Sequence, residues 1–381
     1  MQNSLCGSCG GCPLRGSDIS SYRKQKESNF KDIISNIKNS TPIIDEPIFI
    51  EDGLRRRAEM DFCFEKKELK LGFNENKSHN IIDINQCLML DSSLNEILHK
   101  IKEFLKEFIS IAITVKVKKN KIETKYINKG SIRLLKADNG IDVLFVLPIN
   151  PGVEHRMLVA DFVNSNEKII RFCWQINNST PEEIVTKISP KLYISDYEID
   201  IPVGAFLQAS KDAETKMINK VLGYLGEVSG SLADLFCGLG TFTYPLSKIK
   251  GVDVLSIDSS GVSLKGLEKA IAVNQIHNVK IVNKNLFKYP LDKDELKGLE
   301  ALVIDPPRAG AHEQCRQIAQ MDNKDKPKKI VFVSCNPSTF VYDANTLIQG
   351  NYKLEKITLV DQFVYSNHME LIALFTLNQE N

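Results

Sequence analysis

Leu232-Ala233-Asp234-Leu235-Phe236-Cys237-Gly238-Leu239-Gly240-Thr241-Phe242 is the stretch of this chain that decides its fold. An apolar run of strand character meets a tight turn with two glycines, and a predicted helix continues through Leu246. Only glycines permit the close backbone approach that a nucleoside ligand requires at such a turn. Because similar turns serve NAD enzymes, the stretch predicts a nucleoside-binding α/β fold without choosing the ligand.

The chain around this turn alternates between helical and strand patterns from about Asp212 onward. The predicted helices are 212–225, 263–274 and 311–321, and the predicted strands are 252–257, 279–282, 301–304 and 329–333. Such alternation is typical of βα units in a parallel sheet, whose right-handed crossovers bring the strand ends to one edge. We therefore predict an α/β protein in which residues 204–381 form a doubly wound, Rossmann-like sheet with its site at that edge.

The first half of the chain has a different pattern. Residues 19–37 and 94–109 carry apolar side chains at a helical period, and residues 47–84 alternate as hairpin strands do. Residues 112–200 are predicted to be strand-like, and the helix at 19–37 is expected to pack beside the cysteines that precede it. We therefore predict that residues 1–203 form an α+β domain with a cysteine segment and a central β-rich part.

Length and charge limit the class of protein. With 381 residues, 43% of them hydrophobic, the chain can bury the cores of two domains. Lys and Arg number 49 against 48 Asp and Glu, so RNA binding would need a local basic patch. No apolar run reaches the roughly 18 residues that span a membrane, and no export signal is present. We expect a cytoplasmic protein that acts as a monomer.

Polar residues at the predicted strand ends suggest a cofactor. Asp258 lies 18 residues beyond Gly240, where a carboxylate can accept both ribose hydroxyls. The turn lacks the full G-x-G-x-x-G phosphate fingerprint, which favours S-adenosyl-L-methionine over a dinucleotide and makes Gly238 a cofactor-binding candidate. Asn285 is placed to meet an adenine edge. The alternatives are a solvated Asp that caps a helix and an ordinary turn Asn.

Three chemically active side chains are predicted at neighbouring strand ends. Cys335, in Ser-Cys-Asn-Pro, follows an apolar strand and is a candidate nucleophile, because thiolates add readily to electron-poor double bonds. Asp305 opens the rigid Asp-Pro-Pro-Arg loop, and Glu370 precedes an apolar strand. The alternatives are a buried strand cysteine, a structural cap at Asp305 and a surface carboxylate at Glu370. Arg308 could meet a phosphate or hold Asp305.

Three cysteines crowd the start of the chain in the pattern Cys6-Gly-Ser-Cys9-Gly-Gly-Cys12-Pro. In a reducing compartment such a cluster indicates metal binding or chemistry, and the spacing can hold three corners of a [4Fe-4S] cube. Cys87, in a polar turn, is the best candidate for the fourth ligand. A four-cysteine zinc site and a reactive tail are the alternatives.

Taken together, these motifs resemble those of the RNA uracil-C5 methyltransferases, which make 5-methyluridine in transfer RNA and 23S ribosomal RNA. The motifs that carry the resemblance are the cysteine segment with Cys87, Phe206-Leu207-Gln208, the 234–242 turn, Asp305-Pro-Pro-Arg308, Ser334-Cys-Asn-Pro337 and His368-x-Glu370. The resemblance covers essentially the whole chain. It implies that the cysteine quartet Cys6, Cys9, Cys12 and Cys87 holds a [4Fe-4S] cluster. It also implies that adenosylmethionine is contacted by Gln208, Phe236, Asp258, Asn285 and Asp305.

The resemblance further implies that Cys335 is the nucleophile and Glu370 the base. Thiolate addition at C6 of uracil makes C5 nucleophilic, and a base must then remove the C5 proton before the thiolate leaves. The target base must also be flipped from its stack, and Arg55-Arg56-Arg57 and Lys116–Lys121 are candidate RNA contacts.

The chain departs from the family pattern at Thr241 and Ser210, where relatives usually have Asn, and at Phe363-Val-Tyr-Ser366, where they have Phe-Pro-x-Thr. The sequence begins at the cysteine segment, without the small TRAM domain that many relatives carry in front. In this respect it resembles the shorter branch of the family, which acts on 23S ribosomal RNA. We expect the substrate to be 23S ribosomal RNA rather than transfer RNA. The alternatives are an RNA cytosine-C5 methyltransferase and a catalytically silent RNA-binding iron-sulfur protein.

Overall fold

A computed structural model gives the structure of residues 9–16, 18–117 and 121–378. Its backbone divides into two units. Over the described residues, the first unit contains 9–16, Glu51–Leu192 and Asp200–Gly204, and the second contains 18–50, Tyr193–Ile199 and 205–378. The predicted division at residues 203 and 204 is a single cut, whereas the chain passes between these units several times.

Helices and strands are numbered in chain order over the described residues. The α-helices are α1 (Ile19–Ile34), α2 (Ser92–Ser110), α3 (Val153–Asn164), α4 (Lys211–Leu225), α5 (Thr243–Ser247), α6 (Gly261–Val273), α7 (Lys293–Leu296), α8 (His312–Ala319) and α9 (Pro337–Gln349), with a 3₁₀ helix at Asn323–Asp325. The strands are β1 (Ile43–Ile44), β2 (Ile48–Phe49), β3 (Arg57–Glu65), β4 (Glu68–Asn74), β5 (Ile81–Asp83), β6 (Ile113–Val117), β7 (Lys121–Lys125), β8 (Lys129–Ala137), β9 (Gly140–Leu147), β10 (Ile169–Ile176), β11 (Glu182–Thr186), β12 (Lys191–Ile194), β13 (Tyr197–Asp200), β14 (Gly230–Leu235), β15 (Val252–Asp258), β16 (Val279–Asn283), β17 (Leu299–Ile304), β18 (Lys329–Ser334), β19 (Tyr352–Asp361) and β20 (Glu370–Leu377). Within the described ranges, none of the helices has the length and apolar character needed to cross a membrane.

The first unit is built on a sheet with strand order β11-β10-β9-β8-β3-β4-β5. Helix α2 packs on this sheet through a continuous apolar face. The residues of that face that are buried are Leu94, Ile97, Leu98, Ile101, Phe104, Leu105, Phe108 and Ile109. Burial of each large apolar side chain contributes roughly 1.5–3 kcal/mol, so this face is enough to fix the helix. The predicted helix at 94–109 is confirmed.

Helix α3 was not predicted, since residues 112–200 were expected to form strand-like segments broken by Asn, Gly and Pro. Val159 and Val163 lie four residues apart on one face of α3 and are both fully buried. Gly152 stands at the N-cap of the helix, directly after Pro151. Two apolar residues at helical spacing are a weak signal for a helix when the sequence on either side is typical of strands.

The second unit is built on a nine-stranded sheet with strand order β1-β19-β20-β18-β17-β14-β15-β16, and β2 also pairs with β19. Strands β14 to β18 are parallel to one another, as the βα pattern predicts. Strand β20 runs antiparallel between β18 and β19. The α/β class is confirmed, and the sheet is mixed rather than wholly parallel.

Helix α1 belongs to the second unit, whereas Cys9 and Cys12 belong to the first. Within the second unit, it packs against α9, and its Phe30 and Ile34 are buried in the hydrophobic core of that unit. The apolar residues of α1 correctly predict an amphipathic helix, but periodicity does not say which surface the apolar face will cover.

Candidate active site

The candidate active site lies at one edge of the nine-stranded sheet. Parallel strands β14, β15, β17 and β18 all end at this edge, which is where open α/β sheets bind ligands. Strand β20 begins there because it is antiparallel, and Ser334 at the end of β18 pairs with Leu371. Neighbouring strands lie about 4.8 Å apart. Cys335 and Glu370, each one residue beyond that pair, are therefore brought to adjacent positions.

The turn after β14 is fixed by bonds from the next strand. The Cys237 N–H donates to the Ile257 carbonyl at 3.0 Å, and the Gly238 N–H donates to Asp258 Oδ2 at 2.9 Å. Phe236 has a φ of +63°, a left-handed conformation that residues other than glycine seldom adopt. Such strain is typical of functional sites, and the half-buried Phe236 ring lies 5.3 Å from the Phe287 ring.

The two glycines of the turn have different roles. A Cβ at Gly240 would lie 2.7 Å from Leu267 and 2.8 Å from Tyr244, so Gly240 is required for close packing. A Cβ at Gly238 would meet nothing within 4 Å. Gly238 therefore faces open space at the strand end, where a ligand can approach the backbone.

Asp258 and Asn285 both make local hydrogen bonds at their strand ends. Asp258 accepts from the N–H groups of Gly238 and Ser260, at 2.9 and 2.7 Å. Ser260, rather than Asp258, is the N-cap of α6, which argues against the alternative of a simple capping Asp. Asn285 Oδ1 accepts from the N–H groups of Phe287 and Lys288, so this side chain does hold a turn.

Asp234 forms a buried polar group beneath the glycine turn that the sequence did not assign to a role. It is fully buried and accepts a hydrogen bond from Thr243 Oγ1 at 2.6 Å, and Thr243 in turn contacts Ser256 Oγ at 2.9 Å. Burial, which is the largest effect, raises the pKa of Asp234 to about 7, and the charge of Asp258 adds to the shift. Asp234 therefore links the end of β14 to Thr243, the first residue of α5.

Gln208 is buried just before α4 and is joined to the chain that follows β19. Its Oε1 accepts from Gln362 Nε2 at 2.9 Å, and Gln362 Oε1 accepts from the Ala209 N–H at 3.0 Å. The predicted cofactor residue Gln208 is thus held in place by residue 362, at the start of the segment that leads to Glu370.

The side chains of Cys335, Asp305 and Glu370 interact electrostatically. Burial, then Glu370, then Asp305 raise the pKa of the Cys335 thiol to about 11, while Arg308 acts to lower it. Burial and the charges of Glu370 and Asp234 hold the pKa of Asp305 well above its ordinary range. Glu370 itself is only 6% exposed. The edge thus gathers a thiol and several carboxyl groups in one poorly solvated place.

The Cys335 turn and the Asp305 loop are joined by hydrogen bonds. Asn336 Nδ2 and Thr339 Oγ1 both donate to the Arg308 carbonyl, at 3.0 and 3.3 Å. Asn336 also caps α9, with Pro337 in the first turn of that helix. An Asn followed by Pro is a sequence signal for a helix start, and it could have predicted α9. A terminal nitrogen of the Arg308 side chain lies 3.4 Å from His368 Nε2.

Cys9 and Cys12 lie in the first unit, and Cys6 is outside the described residues. Burial is the largest cause that raises the pKa of the Cys12 thiol, and the charges of Cys87 and Cys9 raise it further. Arg15 and Arg55 act to lower it. Over residues 9–16, 18–117 and 121–378, no group of three or more His, Cys, Asp or Glu side chains is arranged to hold a metal ion.

The candidate RNA contacts have mixed surroundings. Arg56 is 4% exposed and is therefore not available to RNA, which corrects that part of the prediction. Arg55 is half-buried near the thiols of Cys12 and Cys87. Of the Lys116–Lys121 run, residues 118–120 fall outside the described part of the chain.

Comparison with known proteins gives consistent results over nearly the whole chain. Residues 21–377 match the tRNA (uracil-5-)-methyltransferase family. An uncharacterized RNA methyltransferase of Zymomonas mobilis is 30% identical, over 97% of this chain and 86% of that relative. The 23S rRNA (uracil(1939)-C(5))-methyltransferase RlmD of Shewanella frigidimarina is 28% identical, over 97% of this chain and 80% of RlmD.

The crystal structure of Pyrococcus abyssi tRNA (uracil-54, C5)-methyltransferase, in complex with S-adenosyl-L-homocysteine, shares this fold with a TM-score of 0.72. The sequence identity is 23%, and the alignment covers 97% of this chain and 86% of that one.

Proposed function

The chain belongs to the tRNA (uracil-5-)-methyltransferase family, and from this premise we propose that it methylates C5 of a uridine in RNA with Cys335 as nucleophile and Glu370 as base. RNA methylation that depends on adenosylmethionine is the activity of the family. The two residue roles and the choice of RNA are the proposal.

The pairing of Ser334 with Leu371 is the observation that carries this proposal. It puts a thiol and a carboxylate side by side where parallel strands end. Cys335 is half-buried and Glu370 is almost fully buried, which limits water at the reacting atoms. A nucleophile and a base that act in turn on adjacent ring atoms, C6 and C5, need this spacing.

The residues proposed to bind adenosylmethionine suit a cationic ligand. Asp234, Asp258, Asp305 and Glu370 place carboxyl groups around the edge, and Gly238 leaves open space over the turn. When bound, adenosylmethionine supplies an electrophilic methyl group on a positive sulfur. We propose that Gln208, Phe236, Gly238, Asp258, Asn285 and Asp305 hold it. A cation in this site would also offset the charges that raise the pKa of Cys335.

The chain's own residues then act in two steps. The Cys335 thiolate forms a bond from Sγ to C6 of uracil, and the C5=C6 electron pair moves toward C4–O4. C5 of this enolate then takes the methyl group, whose bond to the cofactor sulfur breaks and leaves its electron pair on that sulfur. Glu370 next removes the proton from C5, the electron pair re-forms C5=C6, and the C6–S bond breaks to return the Cys335 thiolate.

The substrate we propose is 23S ribosomal RNA, supported by the relatives named as 23S rRNA methyltransferases. The test is to incubate the protein and adenosylmethionine with unmodified transcripts of 23S rRNA and of transfer RNA. The digested nucleosides are then identified by mass spectrometry. 5-Methyluridine in the 23S transcript is expected. 5-Methyluridine only in transfer RNA would overturn the choice of RNA, and 5-methylcytidine would overturn the choice of base.

The nucleophile is tested with the same transcript containing 5-fluorouridine. Fluorine at C5 cannot be removed as a proton, so the enzyme should remain bonded to the RNA in denaturing gels. Cys335→Ala should abolish this complex. Cys63→Ala, at a half-buried position on β3, is the matched control and should form it normally. A complex that survives Cys335→Ala would refute the assignment.

We also propose that Cys6, Cys9, Cys12 and Cys87 hold a [4Fe-4S] cluster. The proposal is supported by the spacing of the cysteines in the sequence and by the chemistry of thiolates, which bind iron and sulfide. The three described thiols are not arranged as metal ligands in this structure. Anaerobically purified protein should contain about four iron and four sulfide per chain. Cys87→Ser should lose them, and Cys63→Ser should not. Zinc in place of iron would show the alternative site.

A further inference from the structure

Helix α1 places a lysine in the interior of the second unit. Lys26 is 2% exposed, and its Nζ lies 3.0 Å from Oδ1 of the fully buried Asp361. A buried ammonium is costly unless charge and hydrogen bonds compensate for its lost hydration, so such an ion pair calls for a reason.

The segment next to this ion pair is the one that carries Glu370 into position. We call residues 362–369, which join the end of β19 to the start of β20, the base loop. Lys26 Nζ donates to the carbonyls of Ser366 and His368, each at 2.6 Å. The second of these carbonyls is only two residues before Glu370.

Tyr22 makes a second set of contacts from the preceding turn of α1. Its hydroxyl donates to Asp361 Oδ2 at 2.6 Å and accepts from the Tyr365 N–H at 2.8 Å. The two tyrosine rings lie 4.8 Å apart. Because positions 22 and 26 are one helical turn apart, both side chains reach the base loop from the same face of α1.

The base loop has a conformation that needs such support. Tyr365 has a φ of +60°, which is unfavourable for a residue with a side chain. The turn is closed by the Ser366 N–H, which donates to the Phe363 carbonyl at 3.0 Å. Strained turns persist only when their surroundings hold them, and Tyr22 binds this turn at the strained residue itself.

The other end of α1 supplies the packing that holds the helix. Phe30 and Ile34 are buried in the main core cluster of the second unit, among residues of α8, α9 and the sheet. The helix therefore has an apolar end that docks it and a polar end that contacts the base loop. These two functions can be separated by mutation.

We propose that Lys26 and Tyr22 are positioning residues that hold the base loop so that Glu370 can remove the C5 proton. This inference rests on the proposed function, because it takes Glu370 as the base. It predicts that loss of either contact slows the second chemical step more than methyl transfer.

The test is a single-turnover reaction with excess enzyme and methyl-labelled adenosylmethionine, on the transcript that the wild-type protein methylates. The fraction of transferred methyl that remains in denaturation-resistant protein–RNA complex is measured over time. Glu370→Gln should trap most of it. Misplacement by about 1 Å costs roughly a hundredfold in such steps, so Lys26→Met should release product about ten- to a hundredfold more slowly. Tyr22→Phe, a smaller change, should have a smaller effect in the same direction.

Phe30→Leu is the matched control, because it weakens the docking of α1 without touching the base loop. It should lower the melting temperature and leave the trapped fraction at the wild-type value. RNA deuterated at C5 gives a second readout. The isotope effect on release should rise in Lys26→Met and Tyr22→Phe, because proton removal becomes limiting, and it should not rise in Phe30→Leu.

The outcomes separate the two proposals. If Glu370→Gln traps no adduct, the role of Glu370 fails, and this inference fails with it. If Glu370→Gln traps the adduct while Lys26→Met and Tyr22→Phe, both folded, behave like Phe30→Leu, the base stands and the positioning role is overturned.

Discussion

Replacing Glu370 by Gln should make Cys335 more reactive in the free enzyme, although it should disable the second step of the proposed reaction. The reason is electrostatic. Burial, Glu370 and Asp305 together raise the pKa of the Cys335 thiol from 9.0 to about 11. Gln keeps the size of the side chain and removes its negative charge, so it removes one cause of the shift.

The magnitude follows from the sizes of these effects. This rise in the pKa of the Cys335 thiol lowers its thiolate fraction at neutral pH about a hundredfold. Burial is the largest cause and the charge of Glu370 is the next, so loss of that charge should recover only part of the hundredfold in thiolate. A thiolate of lower pKa is also a weaker nucleophile, with a Brønsted slope of about 0.4–0.5, which reduces the gain to roughly two- to threefold.

The assay is alkylation by iodoacetamide, followed on the tryptic peptide 330–353, whose one cysteine is Cys335. The rate in Glu370→Gln should exceed the wild-type rate by that factor at pH 7.5. In both proteins the rate should increase with pH, because the thiol loses its proton, and its midpoint should lie lower in the variant.

Glu300→Gln is the matched control, since Glu300 lies near the start of β17, at the opposite end from Asp305, and pairs with Lys328. It should leave the Cys335 rate unchanged. An equal or slower rate in Glu370→Gln, with Glu300→Gln normal, would refute the argument that Glu370 acts on the thiol through its charge.

Two other substitutions have definite expectations. Arg308→Gln removes the cation that lowers the pKa of Cys335, so alkylation of Cys335 should slow by about twofold or more in the same assay. Gly310→Ala should destabilise the fold by about 1–3 kcal/mol in urea unfolding, since Gly310 has a φ of +78° and a Cβ there would lie 2.7 Å from Asp343 Oδ2. Gly223→Ala, in an open position within α4, is its control and should stabilise by about 0.5–1 kcal/mol; an equal loss in both would contradict the strain argument.

The parallel core of the second unit was predictable because its signals are local. Each of β14 to β18 is an apolar run bounded by polar or glycine turns, and strand and helix alternate along the chain. The sequence could not show that β20 enters between β18 and β19, because strand order and direction depend on contacts between distant segments. Helix α9, whose start is marked by Asn336-Pro337, and strand β19 were not among the predicted elements.

The candidate site was predictable to the level of strand ends and no further. Cys335, Asp305 and Glu370 could be proposed because each stands next to an apolar strand in a polar or rigid context. The roles of Lys26 and Tyr22 had no local signal, since both read as ordinary residues of an amphipathic helix. They are separated from Asp361 by more than 330 positions, and only the folded chain brings them together.

The register between β18 and β20 links the stability of the fold to the chemistry proposed for it. Leu371, Ala373 and Phe375 of β20 are fully buried and belong to one core cluster. Because side chains alternate across a strand, a slip of one residue would exchange all three with Ile372 and Leu374, which are buried on the other face and differ from them in size, and it would also carry Glu370 away from Cys335. The apolar residues that follow Glu370 therefore determine which residue stands opposite the nucleophile. The register does not fix the conformation of the base loop, which precedes Glu370. The contacts of Lys26 and Tyr22 restrain that loop.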